Sequence, residues 1–473
     1  MLPTLCNICY AAALGYHAPA VRGTSLAALL VALSAACSFA YLEVQRDWWC
    51  DDDPALFAFG LRVDDPLSFF HDKELLGYGR LNRNTLTPFQ MVSFWIDGRL
   101  APREAGLAYL HSALALAATA VALMALVARL SGPGWAFGCA ATWLFLPSTQ
   151  AVHEFLSTRH YMEGLLACLI ALALGHRVAR GDGGVAAWMG ALAFAAVAAL
   201  CKETYAFAAL FGLAALFLFQ KRRGPLLSVL LLGALYGAYR LWAHGLRASY
   251  GMPLLWPIPF VGVVLRFPYM LAANHGGYLL ALGIAALTIF RATRAWSRGA
   301  VVAVIGLLAG SVLVVYPVAI ALQATWHEPG TWYRATFALN TIGWTLGWVA
   351  LSRVRDVRVH ALAALLTVAA LVPGSLRTRA YWDDYKRSYE IEGRFFLEHP
   401  SRLVYSVVPA SWYLGGLSRL YDARQPHVTW RDAQGGRLDR GVLAAHPTLW
   451  RRDGERMIED PALFRKLLED GRR

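Results

Sequence analysis

The sequence predicts a mostly helical protein that crosses a membrane many times, because apolar residues dominate it and fall into long runs. Hydrophobic residues occupy 57% of the 473 positions and charged residues only 16%, whereas soluble proteins carry about 25% charged residues. The net charge of +13 does not indicate nucleic-acid binding, because much of the Lys and Arg lies in short connectors between apolar runs. We therefore expect membrane lipids around the protein and no nucleic-acid partner.

The apolar runs predict about eleven spans, each near the roughly 20 residues that a bilayer requires. The first run, at about 24–42, has no convincing cleavage site behind it and is typical of a signal anchor. The other ten lie at about 104–128, 135–152, 160–175, 185–201, 203–219, 225–243, 276–290, 299–322, 334–352 and 359–374.

Connectors of two kinds alternate between these runs. One kind is short and basic, and it comprises Arg129, His176–Arg180, Lys221–Arg223, Arg291–Arg298 and Arg353–Arg358. The other kind is longer or carries acids and aromatic residues, and it comprises 43–103, 153–159, 201–203, 244–275 and 323–333. Short basic connectors are typical of the cytoplasmic side. We therefore expect the N-terminus inside and, with an odd number of spans, the tail outside.

The tail, residues 375–473, predicts a small α/β lobe beside a membrane domain at 1–374, whose first outer loop is 43–103. Arg402–Val408, which ends before Pro409, and His427–Trp430 favour short strands. Asp460–Glu469, with Pro461 near its start, favours a terminal helix.

Three consecutive carboxylates, Asp51–Asp53, follow the first span and precede Pro54. Clustered charge beside lipid is costly, so it indicates a functional site, and adjacent like charges raise the pKa of at least one member. The alternative is a helix cap, because Asp before Pro commonly begins a helix. The tripeptide Asp64-Asp65-Pro66 repeats this chemistry, and we interpret that second pair as capping.

Three stretches of the chain form an ordered set of motifs. They are Asp52-Asp53-Pro54 with Asn84–Phe89, Ser93–Gly98 and Tyr109–His111; Leu146-Pro147 through Phe155–His160; and Ala199–Thr204. In order and spacing they resemble the polyprenol-phosphate-sugar-dependent glycosyltransferases of the GT-C fold. The similarity is strongest to protein O-mannosyltransferases of the tetratricopeptide-linked transmembrane type and their bacterial relatives.

The sequence also departs from that family. Leu146-Pro147 stands where the family has His-Pro, and Ala151 stands at the family's following Glu. Glu154 could take over that role, because residues three apart share a helical face. Arg83-Asn84 replaces Arg-Pro, and tetratricopeptide repeats are absent from the sequence.

The resemblance implies inverting transfer of a sugar from a polyprenyl-phosphate donor to a protein, lipid or glycan acceptor on the outer face of a bacterial inner membrane. Asp52 or Asp53 would be the general base. Cations would hold the departing phosphate, and Glu154 and Glu203 complete the predicted substrate-binding set. The candidate phosphate ligands are Arg83, Arg159, His160, Lys202 and Arg334.

Some of these residues also have simpler interpretations. Arg159 and Lys202 lie at span edges, where they could extend to the interface, and Lys202 could pair with Glu203 or Glu154. The sequence assigns no metal ligands, because Cys6 and Cys9 have no second pair. The resemblance leaves the use of a divalent metal open.

The sequence leaves three other functional classes open. A lipid-linked glycan flippase or transporter predicts polar groups near the midplane and repeated halves. A glycan polymerase or ligase predicts a large Arg-rich outer loop, and a non-catalytic scaffold predicts no active site.

Overall fold

The computed structural model describes residues 23–41, 48–76, 86–245, 329–408, 413–423, 425–429, 440–446 and 448–470. The spans predicted at 276–290 and 299–322, residues 246–275 of the predicted connector and Arg83 lie outside these residues. What the structure describes is mostly helical, as the sequence predicts.

Helices are numbered here in chain order. They are α1 Gly23–Tyr41, α2 Asp53–Leu61, α3 Ser68–His71, α4 Lys73–Leu76, α5 Pro88–Leu100, α6 Ala105–Ser131, α7 Pro133–Trp143, α8 Pro147–His153, α9 Arg159–Arg180, α10 Val185–Cys201, α11 Glu203–Phe219, α12 Arg223–His244, α13 Pro329–Leu351, α14 Val357–Glu398, α15 Tyr413–Leu420, α16 Arg440–Ala444 and α17 Pro461–Asp470. One 3₁₀ turn, Leu156–Thr158, precedes α9.

Within the described residues, four helical segments are long and apolar enough to cross a membrane, which fits the predicted membrane protein. They are Thr24–Tyr41, Ala105–Ser131, Leu156–Arg180 and Arg223–His244. Two shorter apolar helices are Val185–Cys201 and Glu203–Leu218. The total of eleven spans stays a prediction.

The span predicted at 135–152 is interrupted, because α7 ends at Trp143 and α8 begins at Pro147. A proline disfavours helical backbone at the preceding residue, and Leu146 is extended, with a ψ of 134°. The hydroxyl of Tyr41 donates to the Leu144 carbonyl at 2.8 Å, and that of Ser375 donates to the Phe145 carbonyl at 2.8 Å. Side chains of the neighbouring helices α1 and α14 thus satisfy two carbonyls at the break.

Three of the predicted basic connectors that lie in the described residues place an arginine on the end of a neighbouring helix, while the connector Arg291–Arg298 lies outside those residues. Arg129 donates to the Ala173 carbonyl at 2.8 Å, and Arg353 donates to the Leu130 carbonyl at 2.7 Å. Arg159, at the start of α9, lies at the opposite end of that helix. The compartment that each end faces stays a prediction.

The described part of residues 43–103, the predicted first outer loop, is folded against the rest of the protein. Its helices α2 and α5 both contribute apolar side chains to a hydrophobic cluster that also includes residues of the tail. Within this cluster Trp49 packs on Phe57, with ring centroids 4.6 Å apart, and Phe57 packs on Phe94 at 5.0 Å. Aromatic burial therefore folds this segment against the tail.

The boundary predicted between residues 374 and 375 falls inside one continuous helix, since α14 runs 42 residues from Val357 to Glu398. Its second half joins the same hydrophobic cluster through Trp382, Tyr389 and Phe396. The first outer loop and the tail consequently share a core.

The tail contains the predicted α/β lobe. Its four strands are β1 Leu403–Ser406, β2 His427–Thr429, β3 Leu449–Asp453 and β4 Arg456–Glu459, in the sheet order β2-β1-β3-β4. Strand β1 runs parallel to β2 and β3, and β4 is antiparallel to β3. Both predicted strands and the predicted terminal helix are confirmed. We call the described residues from Leu403 to Asp470 the tail lobe.

Candidate active site

The backbone before α2 turns sharply and places Asp53 at the first position of that helix. Asp51 adopts a left-handed conformation with a φ of 52°, which Asp tolerates better than most residues. The amide of Asp53 then donates to the Cys50 carbonyl at 3.0 Å. Pro54 follows in the first turn, where its missing N–H costs no helical hydrogen bond.

Asp53 is fully buried, and its two oxygens have different surroundings. Oδ1 accepts a hydrogen bond from the Ser157 amide at 2.7 Å. Oδ2 has no hydrogen-bond partner among the residues that the structure describes. Burial raises the pKa of Asp53 from 3.8 to about 7, the Ser157 amide opposes the rise, and the negative charge of Asp51 adds to it. This carboxyl can therefore exchange a proton near neutral pH.

The other two carboxylates of the acid segment Asp51–Asp53 lie in different positions. Asp52 is half-buried at the N-cap of α2, and its side chain makes no capping hydrogen bond. Asp51 is half-buried, and its Oδ1 receives long contacts from the hydroxyls of Tyr385, at 3.5 Å, and Tyr389, at 3.4 Å. Of the three acids, Asp53 is therefore the one that is fully buried, and the general-base role expected of Asp52 or Asp53 stays a prediction.

The second Asp-Asp-Pro tripeptide lies on the surface. Asp65 is exposed, and its Oδ1 accepts a hydrogen bond from the Leu67 amide at 2.9 Å. Asp64 is also exposed and pairs with Arg99 at 3.1 Å. Asp65 therefore caps a local turn, whereas the N-cap position of α3 is Leu67, which has no side-chain capping bond, so the helix-cap interpretation of this pair holds only for the turn before the helix.

Arg159 is enclosed by protein groups. Its side chain is 1% exposed, forms an ion pair with Asp97, and lies 3.1 Å from Oε1 of Glu163. It also donates to Ser93 Oγ at 2.7 Å and to the Ala108 carbonyl at 3.2 Å. This enclosure argues against the phosphate contact expected of Arg159 and indicates that it joins α5, α6 and α9.

The carboxylates that hold Arg159 were not predicted as site residues. His111 Nδ1 lies 2.8 Å from Asp97 Oδ1, and Ser93 Oγ donates to Glu163 Oε1 at 2.6 Å. Asp97 and His111 belong to the quoted motifs, and Glu163 stands four residues after Arg159. That i,i+4 spacing of opposite charges was the available signal for the pair on α9.

Glu154 has a partner from the tail. The Lys386 ammonium lies 3.4 Å from Glu154 Oε2, and both side chains are buried. Lys386 also donates to the Tyr41 carbonyl at 3.1 Å, while Gln150 donates to Glu154 Oε1 at 2.7 Å. Burial raises the pKa of Glu154, and Lys386 opposes that rise. Glu154 therefore joins the tail helix α14 to the break between α8 and α9.

Lys202, between α10 and α11, lies near His160. Its ammonium lies 4.9 Å from the ring centroid of Tyr161, and the His160 ring lies 4.6 Å from the same ring. Lys202 and His160 are both buried. Glu203, one of the two ion-pair partners suggested for Lys202, pairs with Arg240 at 2.6 Å. The phosphate-binding role of Lys202 and His160 stays a prediction.

Two further candidates cannot be placed by their side chains. Arg83 is outside the described residues, and Arg334 lies in the first turns of α13, where only its backbone is described. Within the described ranges, no group of three or more His, Cys, Asp or Glu side chains is arranged to hold a metal ion.

Comparisons with known proteins add no relative: no protein-family model matches the chain, and no curated protein matches it. The resemblance described above therefore depends on the quoted motifs alone.

Proposed function

We propose that this protein is an integral membrane glycosyltransferase of GT-C type that takes a sugar from a polyprenyl-phosphate donor. The observation that carries the proposal is Asp53, a buried carboxyl with one oxygen that has no described partner and a pKa raised to about 7. A base with a pKa near the working pH is the most effective proton acceptor. The choice of a polyprenyl-phosphate donor depends on the order of the motifs around Asp53, which resembles that of the GT-C glycosyltransferases.

The proposed reaction is a single displacement at the anomeric carbon. Asp53 removes the proton from the acceptor nucleophile, which forms the new glycosidic bond as the bond from sugar to phosphate breaks. The polyprenyl phosphate leaves with the bonding electrons, so the sugar configuration inverts. Lys202 and His160, whose side chains are described, and Arg334, of which only the backbone is described, remain as candidates to neutralise that phosphate.

Access to the base requires a change of conformation in this proposal. Asp53 is closed from solvent in the described conformation, so we infer that acceptor binding opens a path to Oδ2. Exclusion of water from the closed site would strengthen the electrostatic contacts around the reacting groups. The acceptor, whether protein, lipid or glycan, would arrive from the outer face of the membrane.

A transporter of lipid-linked sugars is the second candidate, and the interrupted segment between α7 and α9 favours it. Discontinuous helices that contain polar groups are typical of transporter binding sites. Ser148, Thr149 and His153 on α8 are buried, and each has a polar side-chain atom without a hydrogen-bond partner among the described residues. The same interruption would serve a transferase by bringing Ser157 to Asp53.

The experiment that separates the two candidates uses the purified wild-type protein in sealed vesicles. A labelled polyprenyl-phosphate sugar is supplied on one leaflet, with a mixture of outer-face acceptors from the cell envelope on the same side. We expect label to move into acceptor and free polyprenyl phosphate to accumulate. Movement of intact donor to the other leaflet, without label in any acceptor, would assign the protein to the transporter class.

A further inference from the structure

The tail lobe packs directly on the helix turn that carries the acid segment. Helix α15 contacts the start of α2 so closely that a methyl group placed at Gly416 would lie 2.5 Å from the Ala55 amide nitrogen and 2.8 Å from its Cα. Backbone atoms cannot move aside as a flexible side chain can. Gly416 therefore permits an approach that any larger residue would prevent.

A second set of contacts fixes the residues just before Asp53. The Trp48 indole donates to the Tyr413 hydroxyl at 2.8 Å, and that hydroxyl donates to the Tyr389 carbonyl at 2.7 Å. Trp49 donates to the Tyr421 hydroxyl at 3.0 Å. The side chains of Trp48, Tyr413 and Tyr389 are buried. The hydrogen bonds that join these three residues are therefore shielded from competition with water.

The third set of contacts involves the strained residue Asp51. The hydroxyl of Tyr389 reaches both Asp51 Oδ1, at 3.4 Å, and the Tyr385 hydroxyl, at 3.0 Å. A left-handed non-glycine residue persists where its surroundings hold it, and such residues cluster at functional sites. Asp51 stands two residues before Asp53, so its conformation determines where the α2 turn begins.

We propose that the tail is part of the catalytic unit, and that Gly416 and Tyr389 are positioning residues that set the orientation of Asp53. This inference rests on the proposed transferase function, in which Asp53 removes the proton from the acceptor. Neither residue touches substrate in this account. Their effect passes through the Ala55 backbone and through Asp51.

The chain offers a matched pair of substitutions on one helix. Gly416→Ala introduces the methyl group against the Ala55 backbone, whereas a methyl group at Gly415 would meet only the His427 ring, at ordinary distances of 3.8 and 4.0 Å. Both changes raise helix propensity equally. The difference between Gly416→Ala and Gly415→Ala therefore reports the close approach to α2 alone.

The test combines transfer kinetics with amide hydrogen exchange of residues 48–61 on the full-length protein in detergent. For Gly416→Ala we expect kcat to fall about 10–100-fold, because a displacement near 1 Å has that effect on a reacting group. KM should stay within about twofold, since substrate contacts are unchanged. Exchange in 48–61 should accelerate in Gly416→Ala and not in Gly415→Ala.

The outcomes distinguish failure of this inference from failure of the proposed function. If the wild type transfers sugar and the two alanine variants behave alike, the inference is overturned and the transferase function stands. If the wild type transfers no sugar, the transferase function fails, and the positioning of Asp53 for proton removal is overturned with it. If Gly416→Ala does not fold, Tyr389→Phe decides: lowered kcat with unchanged KM supports the inference, and wild-type kcat overturns it.

Discussion

The two Asp-Asp-Pro tripeptides of the first outer loop have the same sequence and different environments. Asp53 is fully buried, and its amide and carboxyl oxygen bind the Cys50 carbonyl and the Ser157 amide. Asp65, at the matching position, is exposed and caps a local turn through the Leu67 amide. The tripeptide starts a helical turn in both places. The local sequence therefore explains the backbone conformation, but it does not explain why only the first carboxyl is buried.

The difference arises from what covers each tripeptide. The tail lobe and α14 lie over the first, through Tyr389, Tyr413 and Gly416. The second tripeptide is exposed. Within the described part of the chain, its Asp64 forms one ion pair, with the half-exposed Arg99. Burial raises the pKa of Asp53, in the first tripeptide, to about 7.

The largest expected change in stability comes from a comparison of two ion pairs, the buried pair of Asp97 with Arg159 and the exposed pair of Asp64 with Arg99. Asp97→Asn removes one of the two carboxylates that pair with the buried Arg159 and leaves Glu163, at 3.1 Å, as the other. We expect a loss of about 3 kcal/mol, the lower end for a broken buried ion pair. Asp64→Asn removes an exposed carboxylate and should leave stability unchanged. Unfolding in detergent, followed for both variants, checks this. Equal losses would show that burial does not separate the two regions.

A second effect is the dependence of stability on pH. The folded pKa of Asp53, about 7, exceeds its ordinary 3.8, so the folded state holds the proton more tightly. The wild type should lose stability relative to Asp53→Asn as pH rises from 4 to 7, by up to ~4 kcal/mol. Glu154 and Glu392, whose pKa values burial also raises, are present in both proteins and cancel.

The activity should follow the opposite direction over the same pH range. Because a base acts only when ionised, kcat should rise about tenfold per pH unit below 7 and level above it. Rate profiles of the wild type and of Asp65→Asn should coincide, since Asp65 lies outside the site. A profile that is flat from pH 5 to 8, or one that falls, would contradict a base with this pKa.

The smallest effect concerns the second tripeptide. Asp65→Ala removes the acceptor for the Leu67 amide and should cost about 1 kcal/mol, as loss of a cap does. Asp65→Asn keeps an oxygen acceptor and should cost less. Thermal unfolding of both variants against the wild type measures the difference, and a larger loss for Asn than for Ala would rule out capping.

Local sequence signals predicted much of the fold. Residue propensities and the positions of proline and of charged connectors correctly predicted several elements. They are the apolar helices α10, α11 and α12, the strands at Leu403 and His427, and the terminal helix at Pro461. Strands β3 and β4 were missed because they are short and rich in charge, so their pattern does not resemble a buried strand.

Site residues were harder to predict where their partners lie far along the chain. The sequence identified Asp53 and its Asp-Asp-Pro context, and it identified Glu154 as a functional candidate. It could not show that Lys386, 232 residues away, forms an ion pair with Glu154, or that Asp97 forms an ion pair with Arg159. Both pairings depend on tertiary packing, and their charges have no periodic signal on their own helices.

The most direct test of the central claim is the rate of sugar transfer by Asp53→Asn compared with Asp52→Asn and Asp65→Asn. All three substitutions keep side-chain size and remove one carboxylate, so the burial and position of the acid are what differ. We predict a loss of at least about 10²-fold for Asp53→Asn, with Asp65→Asn near the wild-type rate. Full activity in Asp53→Asn, or a loss confined to Asp65→Asn, would show that the base lies elsewhere in the loop.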